Sequence, residues 1–513
     1  DTPIDTLLME VKFPVADTKI TNVIYNGETL EPFLEDEEYR MFIYKLPTSL
    51  KPKETASLII ETEANTHGFS ANAETAVLSN GTFFRDAIFP SFHYERSLLE
   101  NGVRKKYDLE ELDYLYSPRT DSTALKKNLF NEDGDYLNFE AIVSTSKGQT
   151  AIAPGTLIRQ WEENNRSYFQ YKLEEKTDYF FSFVSADYDI EKDVWTAPSG
   201  KQVAIEIYHY PEHTENLEYF IKGVKVALAY NSKNFLEYPY SVLRIIEYPA
   251  HSTFAQSFAT TIPYSENFGF VADFSKADSY NYAFRITSHE VAHQWWGHIV
   301  TPSKTTGANI ISETLAEYSS LMTMKQEYGE NGIKSFLKNS LDTYLSRRKF
   351  SFKPERNLID VETGQYIWYE KGSMIMYDLQ DVIGEKVLNK GLESFLKEFK
   401  YNEKGFYPTS EDLYEAIYAV TPDSLKYKVE DGFKEIVLYE NRVIDAKTRA
   451  LDNGKWETTF TVNSKKIYYN DEGKEDRIDD ERNLVDVGLF GEDVVKDGVT
   501  IKNPFYFKLK CLK

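Results

Sequence analysis

The chain has 513 residues, of which 41% are apolar and 15% aromatic, so it can bury large cores and is not a disordered protein. Its formal net charge of -23 repels nucleic acid and anionic membrane surfaces, and we expect no nucleic-acid partner. The single cysteine, Cys511, excludes a disulfide framework and a thiolate metal site. No apolar run reaches the roughly 18 residues that a membrane-spanning helix needs.

The first part of the sequence reads as β-structure. Residues 1–195 contain short apolar alternations such as "TLLMEVKFP", "ASLIIETEA" and "YFQYKLEE", separated by turn-rich pieces such as "YNGE" and "NEDGD". This pattern predicts an N-terminal β-rich saddle or sandwich domain. The opening "DTPIDTLLMEV" has neither an initiator Met nor the basic and apolar regions of a signal peptide, so we expect a fragment of a longer chain.

The pattern changes near residue 200. Two strand-like runs, "QVAIEIYHY" and "SVLRIIEYP", flank a helical stretch, and a helical period dominates beyond residue 280. Residues 196–430 are therefore predicted to form a small mixed sheet followed by helices. Thr409 and Asp412 in "PTSEDLYEAIYAV" predict a capping box at the start of one helix. Residues 431–513 return to β and predict a small C-terminal sandwich, which makes the fold class α+β and multidomain.

The stretch "ITSHEVAHQWWGHIV" gathers three of the eight histidines. On a helix, His289 and His293 lie at i and i+4 on one face, where two imidazoles can share one metal ion. Glu290 follows the first of them, which completes the H-E-x-x-H arrangement of zinc peptidases. His298 lies five residues past His293, so we expect a helix-end or loop residue there and not a ligand.

A catalytic zinc needs three protein ligands and an open position for water. Glu313 and Glu317, in "ISETLAEYSS", are again at i and i+4 on a helical segment. We assign Glu313 as the third ligand and Glu317 as the carboxylate that accepts a hydrogen bond from a ligand histidine. Glu290 would take the proton of the zinc-activated water and pass it to the leaving amine. A tyrosine hydroxyl could stabilise the oxyanion, but the spacing does not say which of the 37 tyrosines.

Four motifs carry a family resemblance. "HEVAHQWWG", "SETLAEY", "YEKG" and "TSEDL", in this order, resemble the zinc aminopeptidases of the gluzincin group, the family of alanyl (membrane) aminopeptidase and leukotriene hydrolase. The resemblance implies an N-terminal β-saddle, a thermolysin-like catalytic domain and further C-terminal parts. It also implies that one Zn²⁺ is held by His289, His293 and Glu313, with Glu290 as the general base.

The resemblance extends to the residues that bind substrate. Tyr369, in "IWYEKGSM", matches the family tyrosine that stabilises the tetrahedral intermediate. "PYSENFGFV" resembles the family motif G-A-M-E-N-W-G-L-V, which implies that Glu266 holds the free amino terminus of a peptide and that Asn267 supports the edge of the cleft. The implied activity is that of an aminopeptidase.

Some residues depart from the family pattern. Pro263, Tyr264 and Ser265 stand where the family motif G-A-M-E-N has Gly, Ala and Met. In the family, this Gly-Ala-Met stretch helps to bind the substrate backbone. An endopeptidase or processing peptidase is therefore an alternative. A second alternative is a peptide-binding module of a transporter that keeps its zinc without turnover, although a purely structural zinc site needs no base such as Glu290.

The gap from His293 to Glu313 is one residue longer than is usual in the family. This shift, with "HQWWGHIV" and "SETLAEYSSLM", most resembles a bacterial branch in which the peptidase follows an ABC-type transporter permease in one polypeptide. The resemblance implies a soluble fragment of a membrane-anchored bacterial protein, continuous in the native chain with a permease domain. It favours the extracytoplasmic side of the membrane.

Overall fold

Two compact units make up the chain, one of Asp1–Leu345 with Val361–Asp423 and one of Ser346–Asp360 with Ser424–Lys513. The structure is a computed structural model. It describes residues 2–11, 17–37, 40–65, 77–92, 101–110, 115–131, 134–273, 282–351, 354–479, 484–490, 494–496, 499–501 and 506–512.

The first unit begins with β-structure. Its strands and one short helix are β1 Ile4–Glu10, β2 Asp17–Tyr25, β3 Glu28–Thr29, β4 Leu34–Asp36, β5 Met41–Leu50, β6 Leu58–Asn65, β7 Val77–Leu78, β8 Gly81–Arg85, α1 Asn101–Lys106, β9 Glu140–Ser146, β10 Thr150–Ile152, β11 Thr156–Glu163, β12 Arg166–Lys172 and β13 Ser182–Ala186. They form small sheets in the orders β1-β5-β4, β3-β2-β6, β10-β13-β8-β7 and β11-β12-β9. Met9, Val23 and Tyr44 share one buried core, because alternate side chains of each strand face inward.

A mixed sheet of four strands follows. It consists of β14 Asp189–Thr196, β15 Gln202–His209, β16 Val242–Tyr248 and β17 Thr261–Ser265, in that order. β14 is antiparallel to β15, whereas β15, β16 and β17 are mutually parallel. Every residue of β16 is buried, as expected of a parallel strand covered on both faces.

Most of the helices follow this sheet in the chain, as the change of period near residue 280 predicts. Their bounds are α2 Leu217–Asn234, which lies between β15 and β16, then α3 Tyr282–Ala292, α4 Leu315–Gly332, α5 Lys334–Phe350, α6 Gly372–Ile383, α7 Glu385–Phe399 and α8 Ser410–Val420. α3 is buried on nearly all sides. Because an unpaired buried polar group is costly, its histidines and glutamate need specific partners.

The second unit is mainly β-structure. After α9 Lys426–Phe433 it contains β18 Ile436–Ala450, β19 Trp456–Tyr469, β20 Glu475–Asp479, β21 Leu484–Phe490, β22 Val494–Lys496, β23 Val499–Ile501 and β24 Tyr506–Leu512. β18, β19 and β20 form one antiparallel sheet. Lys466 and Asp431 form a buried ion pair in this unit, with Nζ and Oδ2 2.8 Å apart.

The predicted fold class is confirmed, because strands, a mixed sheet with helices, and strands again follow one another along the chain. The capping box is confirmed as well, since Thr409 and Asp412 exchange both of its hydrogen bonds at the start of α8. The domain boundaries 1–195, 196–430 and 431–513 stay a prediction. In the described part of the chain, no helix combines the length and the apolar character that a membrane crossing requires.

Candidate metal centre and substrate cleft

Three short π-helical turns carry candidate site residues. They span Glu266–Phe270, Ile310–Thr314 and Ile367–Lys371, and they contain Glu266, Glu313 and Tyr369. π-Helical turns are rare in proteins as a whole, and those that occur are often found at functional sites. A π turn adds one residue to a helical turn and so re-aims the side chains that follow. The helical period of the sequence does not reveal this.

The two histidines of the motif face one another at the end of α3. The backbone N–H of His293 donates to the carbonyl of His289, which keeps the i, i+4 register at the point where the helix ends. Their Nε2 atoms are 3.0 Å apart. Both imidazoles are therefore aimed at one point.

Glu313 completes a three-sided set of donor atoms. Its Oε2 lies 3.4 Å from the Nε2 of His289 and 3.4 Å from the Nε2 of His293. This Oε2 is buried and has no hydrogen-bond partner among the described residues. Zinc with bonds of 2.0–2.1 Å in a tetrahedral site separates its ligand atoms by about 3.3 Å. The donor set therefore fits a zinc ion, with two imidazole nitrogens and one carboxylate oxygen.

Polar groups behind the two histidines contact the ring nitrogens that face away from the metal position. The Nδ1 of His293 lies 2.9 Å from the carbonyl oxygen of Trp296, so in the neutral imidazole Nδ1 carries the proton and Nε2 has the lone pair that a metal would bind. The Nδ1 of His289 lies 3.4 Å from Oε1 of Glu317, but it has no hydrogen-bond partner among the described residues, so the hydrogen bond expected from the sequence is not formed. Arg285 in turn donates from Nη2 to the same Oε1 at 2.7 Å. The backbone carbonyl of Trp296 was not identified from the sequence.

Burial and mutual charge set the protonation of the site. Burial raises the pKa of Glu290, against the opposing effect of the two histidines. Although burial raises it, the pKa of Glu313 lies below its usual value because His293 and His289 adjoin the carboxylate. Burial also lowers the pKa of His293, but the charge and hydrogen bond of Glu313 outweigh this and raise it to about 9.

A cavity of about 330 Å³ opens at these residues. Its lining combines the three candidate ligands, the candidate base, and residues from five other segments: Leu129, Phe130, Phe180, Ala255, Gln256, Ser257, His289, Glu290, His293, Gly297, His298, Ser312, Glu313 and Tyr369. The Tyr369 ring centroid lies 6.0 Å from that of His289. Burial and then the charge of Glu313 raise the pKa of Tyr369, so its hydroxyl stays a proton donor.

The backbone of residues 254–256 forms a strand edge beside this cavity. This edge was not identified from the sequence. Gln256 donates its N–H to the carbonyl of Pro263, and the carbonyl of Phe254 accepts from Ser265, so this segment runs antiparallel to β17. In such a pairing, Ala255 points its own N–H and C=O to the opposite side. Ala255 lines the cavity, and among the described residues its N–H and C=O have no backbone hydrogen-bond partner. The signal that could have found it is the short strand-like "FAQSF" before the turn at Thr260.

Two residues of the histidine-rich motif hold this edge in place. Gln294 donates from Nε2 to Ser257 Oγ at 2.7 Å and to the Phe258 carbonyl at 2.9 Å, and its Oε1 accepts from the N–H of Thr260. His298 is buried, with Nε2 3.2 Å from the carbonyl oxygen of Ser257. Burial lowers the pKa of His298 to about 3, so it is neutral. It is not one of the clustered metal-binding side chains, as the sequence predicts.

Glu266 lies in a second group of polar side chains. Its carboxylate forms a cluster with His213 and Glu247, and its Oε1 accepts from the N–H of Ala250 at 2.9 Å. Glu247 is fully buried, and burial raises its pKa to about 7. Neither Glu266 nor Asn267 is among the residues that line the cavity. Residues 250–256 connect the two places along the chain.

Comparison with known proteins shows which proteins the chain resembles. Residues 220–431 match the model of the peptidase family M1 domain. The endoplasmic reticulum aminopeptidase 2 of Homo sapiens is 28% identical over 207 residues, which are 39% of this chain and 22% of that protein. The chain thus spans only about a fifth of that relative.

Two solved structures share the fold. The M1 zinc metallopeptidase from Deinococcus radiodurans aligns with a TM-score of 0.57 at 15% identity, over 84% of this chain and 86% of that one. Legionella pneumophila aminopeptidase A in complex with aspartic acid aligns with a TM-score of 0.61 at 15% identity, over 100% of this chain and 52% of that one. These structures show the shared fold, and the family match with the aminopeptidase relative confirms the resemblance to the zinc aminopeptidases of the gluzincin group.

Proposed function

We propose that this chain, which is similar to the M1 zinc aminopeptidases, is a zinc-dependent metallopeptidase that releases residues from the amino end of peptides. The observation that carries the proposal is the convergence of His289, His293 and Glu313 on one point, with Glu290 and Tyr369 lining the same cavity. Zinc held there would act as a Lewis acid on the substrate carbonyl and lower the pKa of a water molecule.

The residues of the chain divide the remaining work. Glu290 takes a proton from the attacking water and passes it to the leaving amine, and its raised pKa suits both steps. The Tyr369 hydroxyl donates a hydrogen bond to the oxyanion that forms at the carbonyl. The Ala255 backbone pairs with the extended peptide and holds the scissile bond in register.

Glu266 is proposed as the anchor of the substrate amine. It lies in a cluster with Glu247 and His213, whose own contact occupies one oxygen of Glu247, so the Glu266 carboxylate is the group that would pair with an ammonium. An acylated peptide would lack that charge and lose the interaction. For this role, a peptide must reach from the cavity along residues 250–256, whose Ala250 N–H donates to Glu266 and whose Gln256 lines the cavity.

One observation favours an endopeptidase as the second candidate. Among the described residues that line the cavity, the carboxylates are Glu290 and Glu313, and both already have a proposed role. A peptide amine would find no further negative charge in the cavity itself. If Glu266 does not reach the substrate, nothing in this part of the chain requires a free amino end.

Two matched peptides test the proposal. The zinc-loaded protein is incubated with one short peptide whose amino end is free and with the same peptide acetylated, and mass spectrometry follows the products. Stepwise loss of residues from the free peptide alone is expected. Cleavage of both peptides at an internal bond would establish the endopeptidase instead. Glu290→Gln serves as the control for contaminating proteases, and cleavage that survives this substitution does not come from this site.

We also propose that the native chain is continuous with a membrane permease and lies on the extracytoplasmic side. This proposal rests on the motif resemblance alone. An antibody against the peptidase part would detect, in a membrane fraction of the source cells, a chain much heavier than 59.5 kDa. A band of about that mass in the aqueous fraction alone would contradict the proposal.

A further inference from the structure

Part of the cavity lining is apolar and aromatic. Leu129, Phe130 and Phe180 form it, and we call these three residues the aromatic wall. The Phe130 and Phe180 rings are stacked, with centroids 5.1 Å apart and planes at 15°. Phe180 also packs against Phe258, with centroids 4.6 Å apart. The wall therefore presents a continuous apolar surface to whatever enters.

Hydrogen bonds hold this wall in place. Asn128 is fully buried, and its Oδ1 accepts from the N–H of Phe130 at 2.9 Å and from that of Asn131 at 2.6 Å. The N–H of Leu129 donates to the Pro302 carbonyl at 2.9 Å. A surface fixed in this way loses little conformational entropy when it binds a ligand.

Charge is confined to the catalytic side of the cavity. Apart from Glu290, Glu313 and the imidazoles, the residues that line it among those described are uncharged. A carboxylate placed against the aromatic wall would lose water and gain no partner, and a Lys or Arg side chain would exchange its water for a cation–π contact that does not replace full hydration. An apolar side chain in the same place would gain by leaving water.

We propose that the aromatic wall binds the side chain of a residue flanking the scissile bond and selects apolar side chains such as Leu, Phe and Met over Asp, Glu, Lys and Arg. The inference rests on the proposed function, because it takes the cavity to be the place of peptide cleavage. A hydrophobic pocket discriminates by about 10- to 200-fold per methylene-sized group, so we expect preferences of at least about tenfold in kcat/KM.

A peptide series measures this preference. Otherwise identical peptides carry Leu, Phe, Ala, Asp or Lys on either side of the bond that is cut, and kcat/KM is determined for each. Leu and Phe are expected to exceed Asp and Lys by about tenfold or more at one of the two positions. Equal rates for all five residues at both positions, with normal turnover, would overturn the inference and leave the proposed function intact.

Phe130→Ala tests the residue itself, with Phe84→Ala as its matched control. Phe84 belongs to another aromatic pair, with Phe183 at 5.3 Å, and does not line the cavity. Phe130→Ala is expected to lower kcat/KM about tenfold for the Leu and Phe peptides and by less than about twofold for the Ala peptide. Phe130→Leu keeps an apolar surface and should restore most of the difference. A preference that Phe130→Ala leaves unchanged would contradict the assignment.

A binding measurement tests the inference about the aromatic wall independently of catalysis. Zinc-loaded Glu290→Gln is titrated with the same peptides by calorimetry, so that no turnover is needed. Tighter binding of the Leu and Phe peptides supports the aromatic wall even if the wild-type protein cleaves nothing, in which case the proposed function alone fails. If the peptides bind with equal affinity, or do not bind at all, the inference is wrong.

Discussion

At the scale of single residues, Glu317 connects the metal centre to the surrounding protein. Its Oε1 lies between the Nδ1 of His289, at 3.4 Å, and the Nη2 of Arg285, at 2.7 Å. All of these groups are nearly buried, so the negative charge of Glu317 acts in an environment of low dielectric. The carboxylate can orient the imidazole and make it a better metal ligand, while the hydrogen bond from Arg285 holds the carboxylate in place.

Glu317→Gln should therefore weaken zinc binding without removing a direct ligand. We expect the zinc affinity to fall about 10- to 100-fold, as is usual when a carboxylate behind a ligand histidine is lost. Competition with a chromophoric chelator measures it. Glu330→Gln is the control, because Glu330 lies on the same helix but is exposed and pairs with Lys325 at 3.7 Å. If both variants bind zinc as the wild type does, Glu317 does not act on the metal.

Residues separated by a helical period were predictable from the sequence, and residues brought together by loops were not. The facing of His289 and His293 follows from the i, i+4 spacing alone. The backbone carbonyl of Trp296 and the edge at Ala255 leave no mark in residue type, since any residue supplies the same N–H and C=O groups. Glu266 lies with Glu247 of β16 and with His213 of the segment between β15 and α2. The sequence could not show this, because the three residues are far apart along the chain.

At the scale of secondary-structure elements, the sequence predicted a helix cap but could not predict which strands pair with one another. The capping box of α8 depends on residues three positions apart, so the sequence contains the whole signal. In contrast, the alternation of residues in β14 does not reveal that its hydrogen bonds go to β15, which makes β14 an edge of the mixed sheet. Pairing is decided by where the neighbouring strand lies, and local periodicity does not record that.

Thr409→Ala tests the cap of α8. Thr409 Oγ1 accepts from the N–H of Asp412 at 3.3 Å, and the Thr409 N–H donates to Asp412 Oδ2 at 2.8 Å. The substitution leaves one N–H of the first turn without its partner, so we expect a loss of about 1 kcal/mol in the free energy of unfolding. Urea unfolding followed by circular dichroism measures it. Thr409→Ser keeps the hydroxyl, and an equal loss in both variants would show that the cap does not contribute.

At the scale of the whole first unit, a buried carboxylic acid connects the N-terminal strands to the segment after α3. Asp178 is fully buried, and its Oδ2 accepts from Thr301 Oγ1 at 2.6 Å. Tyr136 Oη lies 2.8 Å from the same Thr301 hydroxyl and donates to the carbonyl of Ile299 at 3.1 Å. Burial, reinforced by the charge of Asp135, raises the pKa of Asp178 to about 8.

The raised pKa of Asp178 predicts the direction in which the free energy of unfolding changes with pH. Between about pH 4 and pH 8, Asp178 is protonated in the folded chain and ionised in the unfolded chain, so folding takes up a proton. The free energy of unfolding should therefore decrease as the pH rises through this range, by at most about 1.4 kcal/mol per pH unit from this group. Above the folded pKa the contribution becomes constant. Asp178 therefore contributes most to the stability of the folded chain at acidic pH. An ion-paired carboxylate, whose pKa is lowered on folding, shows the opposite dependence.

Asp178→Asn isolates the contribution, because the amide has the same shape and does not titrate in this range. Urea unfolding of both proteins at pH 5, 6.5 and 8 should show the wild type losing stability relative to the variant as the pH rises. Subtraction of the two curves removes the other titrating groups. Exposed Asp187, changed to Asn, is the control and should follow the wild type. If wild type and Asp178→Asn keep a constant difference across the three pH values, Asp178 is ionised in the folded protein. Its charge must then be compensated by an altered arrangement of the Thr301 and Tyr136 hydroxyls.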